Sequence, residues 1–289
     1  MVASSQDVEQ IIAIYHQAAE CNRATPARQG NVVVLDHEVA DEVMITADLH
    51  GHRFNFNKLL KLADLEQQPR RHLIMQEVCH GGPTYPGGGC MSHIMLEDVA
   101  RLKVRFPNQF HFLMSNHELA ELTDYPITKN RRVLNLTFRC GLHEMYGNQA
   151  EQVREACLEF LGSLPLAARC GQTFICHSLP ERVDEVGFDS SVFQRPLEPA
   201  DLACDGAAFQ LVWGRDFRPA NADAFARLVH AEMLIHGHEP CPNGYNVPNP
   251  RQLILDCCTD RACYLTLRPG EKLSQKELVG RIQRLGEIT

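Results

Sequence analysis

The sequence predicts a layered α/β sandwich, and three observations carry the prediction. Short β-branched runs alternate with amphipathic helical stretches in the first half of the chain. In the second half apolar runs gather with fewer helices between them, so strands pair late, whereas a pure doubly wound sheet would alternate throughout. No apolar run approaches the roughly 18 residues of a membrane span. With 289 residues, 44% of them hydrophobic, the chain can bury a full core. No repeat or low-complexity linker interrupts residues 1–289, so one domain is expected.

In chain order, "SSQDVEQIIAIYHQAAE" opens with a Ser/Asp cap signal and keeps apolar residues at helical spacing. It predicts an amphipathic helix within an N-terminal extension over residues 1–30. "NVVVLD" and "EVMITAD" are short β-branched runs, expected to be neighbouring strands. "FNKLLKLADL" returns to the helical period and "HLIMQEV" is the next strand. "GGPTYPGGGC", residues 81–90, is a loop by its glycine and proline content, either a lid over the substrate or a surface insertion. "IMLEDVARLKVRF" is helical, "FHFLMSN" a strand and "AEQVREACLEFLGSL" a helix. "QTFICHS", "AFQLVW", "EMLIHGH", "RQLILDCC" and "ACYLTL" are expected as strands, with "ADAFARLVHA" a helix among them. "SQKELVGRIQRLG" closes the chain as a capped helix within residues 274–289.

The formal charge of −8 and the scattered basic residues argue against a nucleic-acid partner. "MVASSQDVEQ" lacks the basic region and apolar core of a signal peptide. Apart from the adjacent Cys257 and Cys258, the twelve cysteines sit singly with no Cys-x-x-Cys pairing, so they are expected as reduced, buried thiols in a cytoplasmic protein. Fourteen histidines exceed what packing needs and point toward metal chemistry.

Four apolar runs end, on their C-terminal side, in the same kinds of residue. "VMITADLHGH" stops at Asp48, His50 and His52, and "FHFLMSN" runs into Asn116, His117 and Glu118. "QTFIC" ends in His177, and "MLIHGH" in His236 and His238. Ligands bind outside the carboxyl ends of strands in open α/β sheets, and carboxylate, carboxamide and imidazole are donors that divalent metals accept. Asp48 and His50, two apart on a strand end, face the same way.

In that order the motifs resemble those of the calcineurin-like metallophosphoesterases, and most the serine/threonine protein phosphatase branch. "ADLHG" matches that family's Gly-Asp-x-His-Gly block, "SNHE" its Gly-Asn-His-Glu block and "FICHSLP" its fourth, histidine-bearing block. "LIHGHEP" matches the last, with His238 as the counterpart of the family ligand and His236 as a neighbour; the likeness runs from about residue 43 to 267. The resemblance implies an α/β/β/α sandwich of the metallophosphoesterase type. It also implies a phosphatase using two divalent ions (Mn, Fe or Zn) that share a bridging hydroxide. Asp48 and His50 would bind one ion, Asn116, His177 and His238 the other, with His117 as proton donor to the leaving oxygen. Glu118 and His52 would support the ligands or start helices. The implied partner is a phosphorylated substrate, small molecule or phosphoprotein, with no nucleic acid and no membrane; the oligomeric state stays open.

The second family block, Gly-Asp-x-x-Asp-Arg-Gly, is altered in "HLIMQEVCHGGP". Gln76 stands for its glycine, Glu77 for the bridging aspartate, His80 for the second aspartate and Gly81 for the phosphate-binding arginine. Glu77 keeps a carboxylate on one more methylene and is expected to bridge, and His80 to take over the orienting of His117. Arg215 or Arg218, in "WGRDFRP", is expected to supply the missing guanidinium. Two alternatives stay open: a catalytically weakened binding protein, and a diadenosine-polyphosphate hydrolase, because "GHEP" resembles the Gly-His-Thr-Pro turn of bacterial members.

Overall fold

In the computed structural model, which describes residues 3–287, the strands form two main sheets and a small hairpin. The five-stranded sheet holds Glu42–Ile45, Arg71–Gln76 and Phe110–Leu113 side by side and parallel. Cys263–Leu267 runs antiparallel along Glu42–Ile45, and Gln283–Arg284 closes that edge. In the seven-stranded sheet the spatial order is Arg28–Gln29, Val32–Leu35, Ala167–Cys170, Thr173–Cys176, Met233–His236, Gln252–Leu255 and Tyr245–Asn246. Both Phe110–Leu113, at the edge of its sheet, and Met233–His236, in the middle of the other, are buried along their whole length. That is why their sequences are continuous apolar runs rather than alternating ones.

Side chains of both sheets, among them Val33, Ile45, Ile74, Phe112, Ile175 and Leu234, join the helices in one contiguous core. The mixed sheets flanked by helices make the α/β sandwich that the sequence predicts. The N-terminal helix, Ser5–Arg23, starts on the expected cap: Ser4 and Asp7 form a reciprocal capping box. It packs against the helices Ser92–Arg105 and Ala150–Gly162.

Five expectations change. Of the cysteines, expected as buried, Cys140 and Cys204 are exposed and Cys21 and Cys258 half-buried. "NVVVLD" and "EVMITAD" are not neighbours: Val32–Leu35 pairs with Ala167–Cys170 in one sheet and Glu42–Ile45 with Arg71–Gln76 in the other. "AFQLVW" is helical over Ala207–Trp213 and buries Ala208, Leu211 and Val212, a helical spacing that a short apolar run hides. The C-terminal helix stops at Gly280, and Gln283–Arg284 is strand; residues 288 and 289 lie outside the described residues. The Gly/Pro loop, expected as a lid or a surface insertion, is fixed to the body of the molecule through its own backbone. Glu144, on the helix Leu134–Tyr146, accepts from the Gly87 and Gly89 N–H groups (3.1 and 3.0 Å), and Cys90 N–H donates to the Thr137 carbonyl.

What positions the chemistry is register. Ile45 lies opposite Ile74 and Gln76 opposite Leu113, while in the other sheet Ile175 lies opposite Ile235 and His236 opposite Ile254. Parallel strands that end level with one another send their following loops to one place.

Candidate active site

The loop after Glu42–Ile45 delivers Asp48 and His50. Both Asp48 oxygens accept the His238 backbone N–H (3.0 and 2.8 Å), tying the two sheets together at this point. The carboxylate lies directly on Gly237, where any Cβ would collide with it, so the sequence needs a glycine between His236 and His238. His50 donates its Nδ1–H to the Cys79 carbonyl (3.2 Å), because a carbonyl can only accept. Its Nε2 lone pair therefore faces inward, 3.2 Å from Glu77 Oε1.

Glu77 follows the Arg71–Gln76 strand in a left-handed backbone conformation (φ 45°), as do His50 (φ 43°) and His238 (φ 70°). Three non-glycine residues held there cost about 1–3 kcal/mol each, a pattern concentrated at functional sites. Glu118 is buried behind this loop and accepts from the Val78 and Cys79 N–H groups (3.0 and 2.9 Å). It supports the turn that aims Glu77, while His52 caps the helix Arg53–Ala63 by accepting from Asn55 N–H.

Glu77 belongs to two groups of donors at once: His50, Glu77 and His117 form one, and Glu77, His177 and His238 the other. Within the second, His177 donates Nδ1–H to the Gln76 side-chain carbonyl (2.9 Å), which leaves its Nε2 as a lone pair. That nitrogen sits 2.7 Å from Glu77 Oε2, 2.7 Å from Asn116 Oδ1 and 3.2 Å from His238 Nδ1. Glu77 Oε2 is nonetheless buried without a hydrogen bond, as is His238 Nε2. Acceptor atoms converging at these distances need a proton or a cation between them. The donor set thus fits divalent metal, with Glu77 able to serve both groups.

The electrostatics agree. Burial pushes Asp48 up to about 8, with the nearby Asp256 adding to it. Burial, then Asp48, raises Glu77 well above the carboxylate range. Burial also lowers His50 to about 4 and His238 to about 3, and holds His177 and His117 well below the usual imidazole range. Neutral imidazoles beside carboxylates that resist ionising alone are what a site needs whose charge balance is completed by cations.

His117 stands beside the ligands at the start of the helix Asn116–Thr123, its Nε2 3.5 Å from Glu77 Oε1. Behind it His80 approaches His117 Nδ1 with its own Nδ1 at 2.9 Å, and His80 Nε2 meets Glu121 Oε1 at 2.6 Å. The sequence reading includes His80, names Gln76 without a role, and omits Glu121 and Asp256. Asp256 is buried at the end of Gln252–Leu255 and accepts from the Cys241 and Cys258 N–H groups (2.9 and 2.8 Å). Its signal was present: "LILD" is one more apolar run ending in a carboxylate.

These residues floor a cleft of about 380 Å³ walled by Ile127, Leu134, Trp213, Lys129, Arg215 and Pro240. Arg215 enters it, anchored by Glu239 at 2.5 Å. Arg218 does not: it is held at the surface by Asp184, Glu185 and Asp216. Lys129, from the hairpin Thr128–Lys129 and Arg132–Val133, is the cation the sequence reading missed. His236 faces away, to Gly237 O and Gln252. Gly81, in the place of the family arginine, has φ 151°, and a Cβ there would collide with the His50 carbonyl oxygen.

Solved structures with the same arrangement of elements include a Saccharomyces cerevisiae protein serine/threonine phosphatase with similarity to human phosphatase PP5. It is 17% identical, with a TM-score of 0.71 over 98% of this chain and 90% of that one. A cold-active protein-tyrosine phosphatase of a psychrophilic Shewanella is 13% identical, with a TM-score of 0.56 over 86% of this chain and 79% of that one. At such identities the likeness is one of fold. The calcineurin-like phosphoesterase family model matches residues 42–242, which hold Asp48, His50, Glu77, Asn116, His117, His177 and His238. With most of its length inside that match, the chain belongs to the calcineurin-like phosphoesterases and is a metal-dependent phosphoesterase.

Proposed function

We propose that the protein hydrolyses phosphate monoesters at a two-ion centre in which Glu77 is the shared ligand. One observation carries the proposal: Glu77 presents Oε1 to His50 and Oε2 to His177, so one carboxylate belongs to both donor groups. Asp48 and His50 would hold one ion with Glu77, and Asn116, His177 and His238 the other. When bound, divalent ions supply Lewis-acid polarisation of the phosphoryl oxygens and make water acidic enough to attack at neutral pH. Mn, Fe and Zn all accept this set.

The chain's own residues do the remainder. Lys129 and Arg215 face the cleft as cations for the substrate phosphate. His117 directs Nε2 into the cleft as proton donor to the leaving oxygen, and Trp213, Ile127 and Leu134 offer an apolar wall to the rest of the ester. Retained turnover is favoured over binding alone. The extra methylene of Glu77 is taken up by its left-handed backbone, and His80 stands where an orienting partner for His117 is needed.

Elemental analysis of protein loaded with manganese should find about two ions per chain. Asp48→Asn and His117→Ala should each lower metal-stimulated phosphate release by about 100-fold or more. Unchanged release in both variants would overturn the phosphatase reading, and one ion or none per chain would overturn the two-ion centre.

A further inference from the structure

We infer that Glu121 is a positioning residue: through His80 it keeps the His117 ring proton on Nδ1, so that Nε2 is the nitrogen that carries the transferred proton to the substrate. The inference rests on reading His117 as the proton donor to the leaving oxygen. His117 and Glu121 are four residues apart on the helix Asn116–Thr123, so they share a face. His80, from the altered second block, fits between them. Its ring is buried and lies edge-on against Phe138 at 5.6 Å and 79°.

The order of donors follows from what each group can do. A carboxylate accepts, so at 2.6 Å His80 Nε2–H donates to Glu121 Oε1. The His80 Nδ1 lone pair then accepts from His117 Nδ1–H at 2.9 Å. The His80 backbone N–H, 3.3 Å from the same His117 nitrogen, is the longer and weaker competitor. With Nδ1 committed, His117 has only Nε2 to offer the cleft. Glu121 is buried and one of its oxygens has no hydrogen bond, so His80 is the partner that justifies burying the carboxylate.

In the reaction the ester P–O bond breaks as the P–O bond from water forms. The resting, neutral His117 takes onto its Nε2 lone pair, through solvent, the proton that the water releases and passes it to the leaving oxygen, so the ring is neutral before and after. The Nδ1 proton stays between His117 and His80, so Glu121 orients the relay without receiving a proton. The arrangement accounts for the altered block: a two-part His80–Glu121 unit fills the place of a single orienting carboxylate.

The test compares two esters on manganese-loaded protein. Phenyl phosphate has a poor leaving group that needs the proton; p-nitrophenyl phosphate has one stable as an anion. Glu121→Leu removes the acceptor, and Glu121→Gln removes only the charge in case the leucine variant does not fold. Each should lower kcat for phenyl phosphate by about 10-fold or more, with a far smaller loss on p-nitrophenyl phosphate. KM and ions per chain should stay at wild-type values. His80→Asp, which restores a direct carboxylate, should recover phenyl phosphate turnover in the Glu121→Gln background. Equal losses on both esters, no loss, or no recovery would overturn the inference. If the wild-type protein hydrolyses neither ester, the phosphatase reading fails on its own. Nitrogen-15 NMR of the imidazoles then decides the relay: His80 should carry its proton on Nε2 in the wild type and lose that fixed tautomer in Glu121→Leu. Identical His80 spectra in the two proteins would overturn it.

Discussion

Gly81 shows why a motif position cannot be restored one residue at a time. The family arginine is absent there, yet the backbone at φ 151° and the pressing His50 carbonyl leave room only for glycine. Gly51, whose own Cβ would come within 2.6 Å of the Gly81 carbonyl, packs the same two loops together. Gly81→Arg should therefore lower stability by about 1–3 kcal/mol and reduce metal content, not raise activity. Thermal unfolding and elemental analysis check this, and a stable, more active variant would refute it. Gln76 is the other silent position. Its side-chain carbonyl holds His177 Nδ1–H and so presents Nε2 to the donor cluster. Gln76→Leu should weaken metal binding about 10–100-fold, measured by competition with a chelating dye; wild-type affinity would show that His177 needs no such partner. Asp48, His50, Asn116, His117, His177 and His238 were legible because each ends an apolar run in a chemically distinctive residue. Gln76, Glu121 and Lys129 were not, since each is an ordinary residue whose role exists only after folding brings it beside a histidine or over the cleft.

Among the elements, the loop 81–90 was recognisable as a loop, but its purpose lay in contacts that composition does not encode. Glu144 takes two of its backbone N–H groups, and Tyr85 reaches His93 at 2.9 Å. His93 in turn meets Glu97 at 2.9 Å, and Tyr146 donates to the same carboxylate at 2.6 Å. The loop is thus tied to two helices, and none of its residues from 81 to 90 lines the cleft. Glu144→Ala should cost about 1 kcal/mol and speed amide exchange at residues 84–90, with kcat and KM unchanged. A lid would instead change kcat and KM together, and that result would return the loop to the reaction. The strands that build the site were legible for a simple reason: buried parallel strands are continuous apolar runs. Pairing was not, because "NVVVLD" and "EVMITAD" look alike while a turn between them sends the first to one sheet and the second to the other. "AFQLVW" failed for the complementary reason that a helix of seven residues, Ala207–Trp213, is too short for a period to show.

For the whole molecule, burying so many histidines and carboxylates together makes stability depend on pH in a way that metal should reverse. Burial lowers His50, His72 and His236 to about 4 and His238 to about 3, and holds His111, His117 and His177 well below 6.5. Each is neutral in the fold and titrates near 6.5 when unfolded, so its contribution is present above 6.5 and lost as pH falls toward 4. Asp48, Glu77 and Glu118 are raised by burial, so their contribution is complete below the unfolded carboxylate range. It is lost as pH rises, for Asp48 through about 8. Between pH 4 and 6.5 the seven histidines outnumber the three carboxylates and the unfolded chain binds more protons, so stability rises with pH. Between 6.5 and 8 the raised carboxylates dominate, the native chain holds more protons and stability falls; Lys103, lowered by burial to about 8, opposes this only at the top of the range. Metal-free protein should therefore be most stable near pH 6.5. Divalent ions compensate Asp48 and Glu77 and bind better as those groups deprotonate, so in loaded protein the falling limb should vanish or turn upward toward pH 8. Urea unfolding from pH 4 to 8, with manganese and with chelator, measures both curves. A metal-free curve that rises steadily to pH 8, or one unchanged by manganese, would mean that the buried carboxylates are not the groups that ions neutralise.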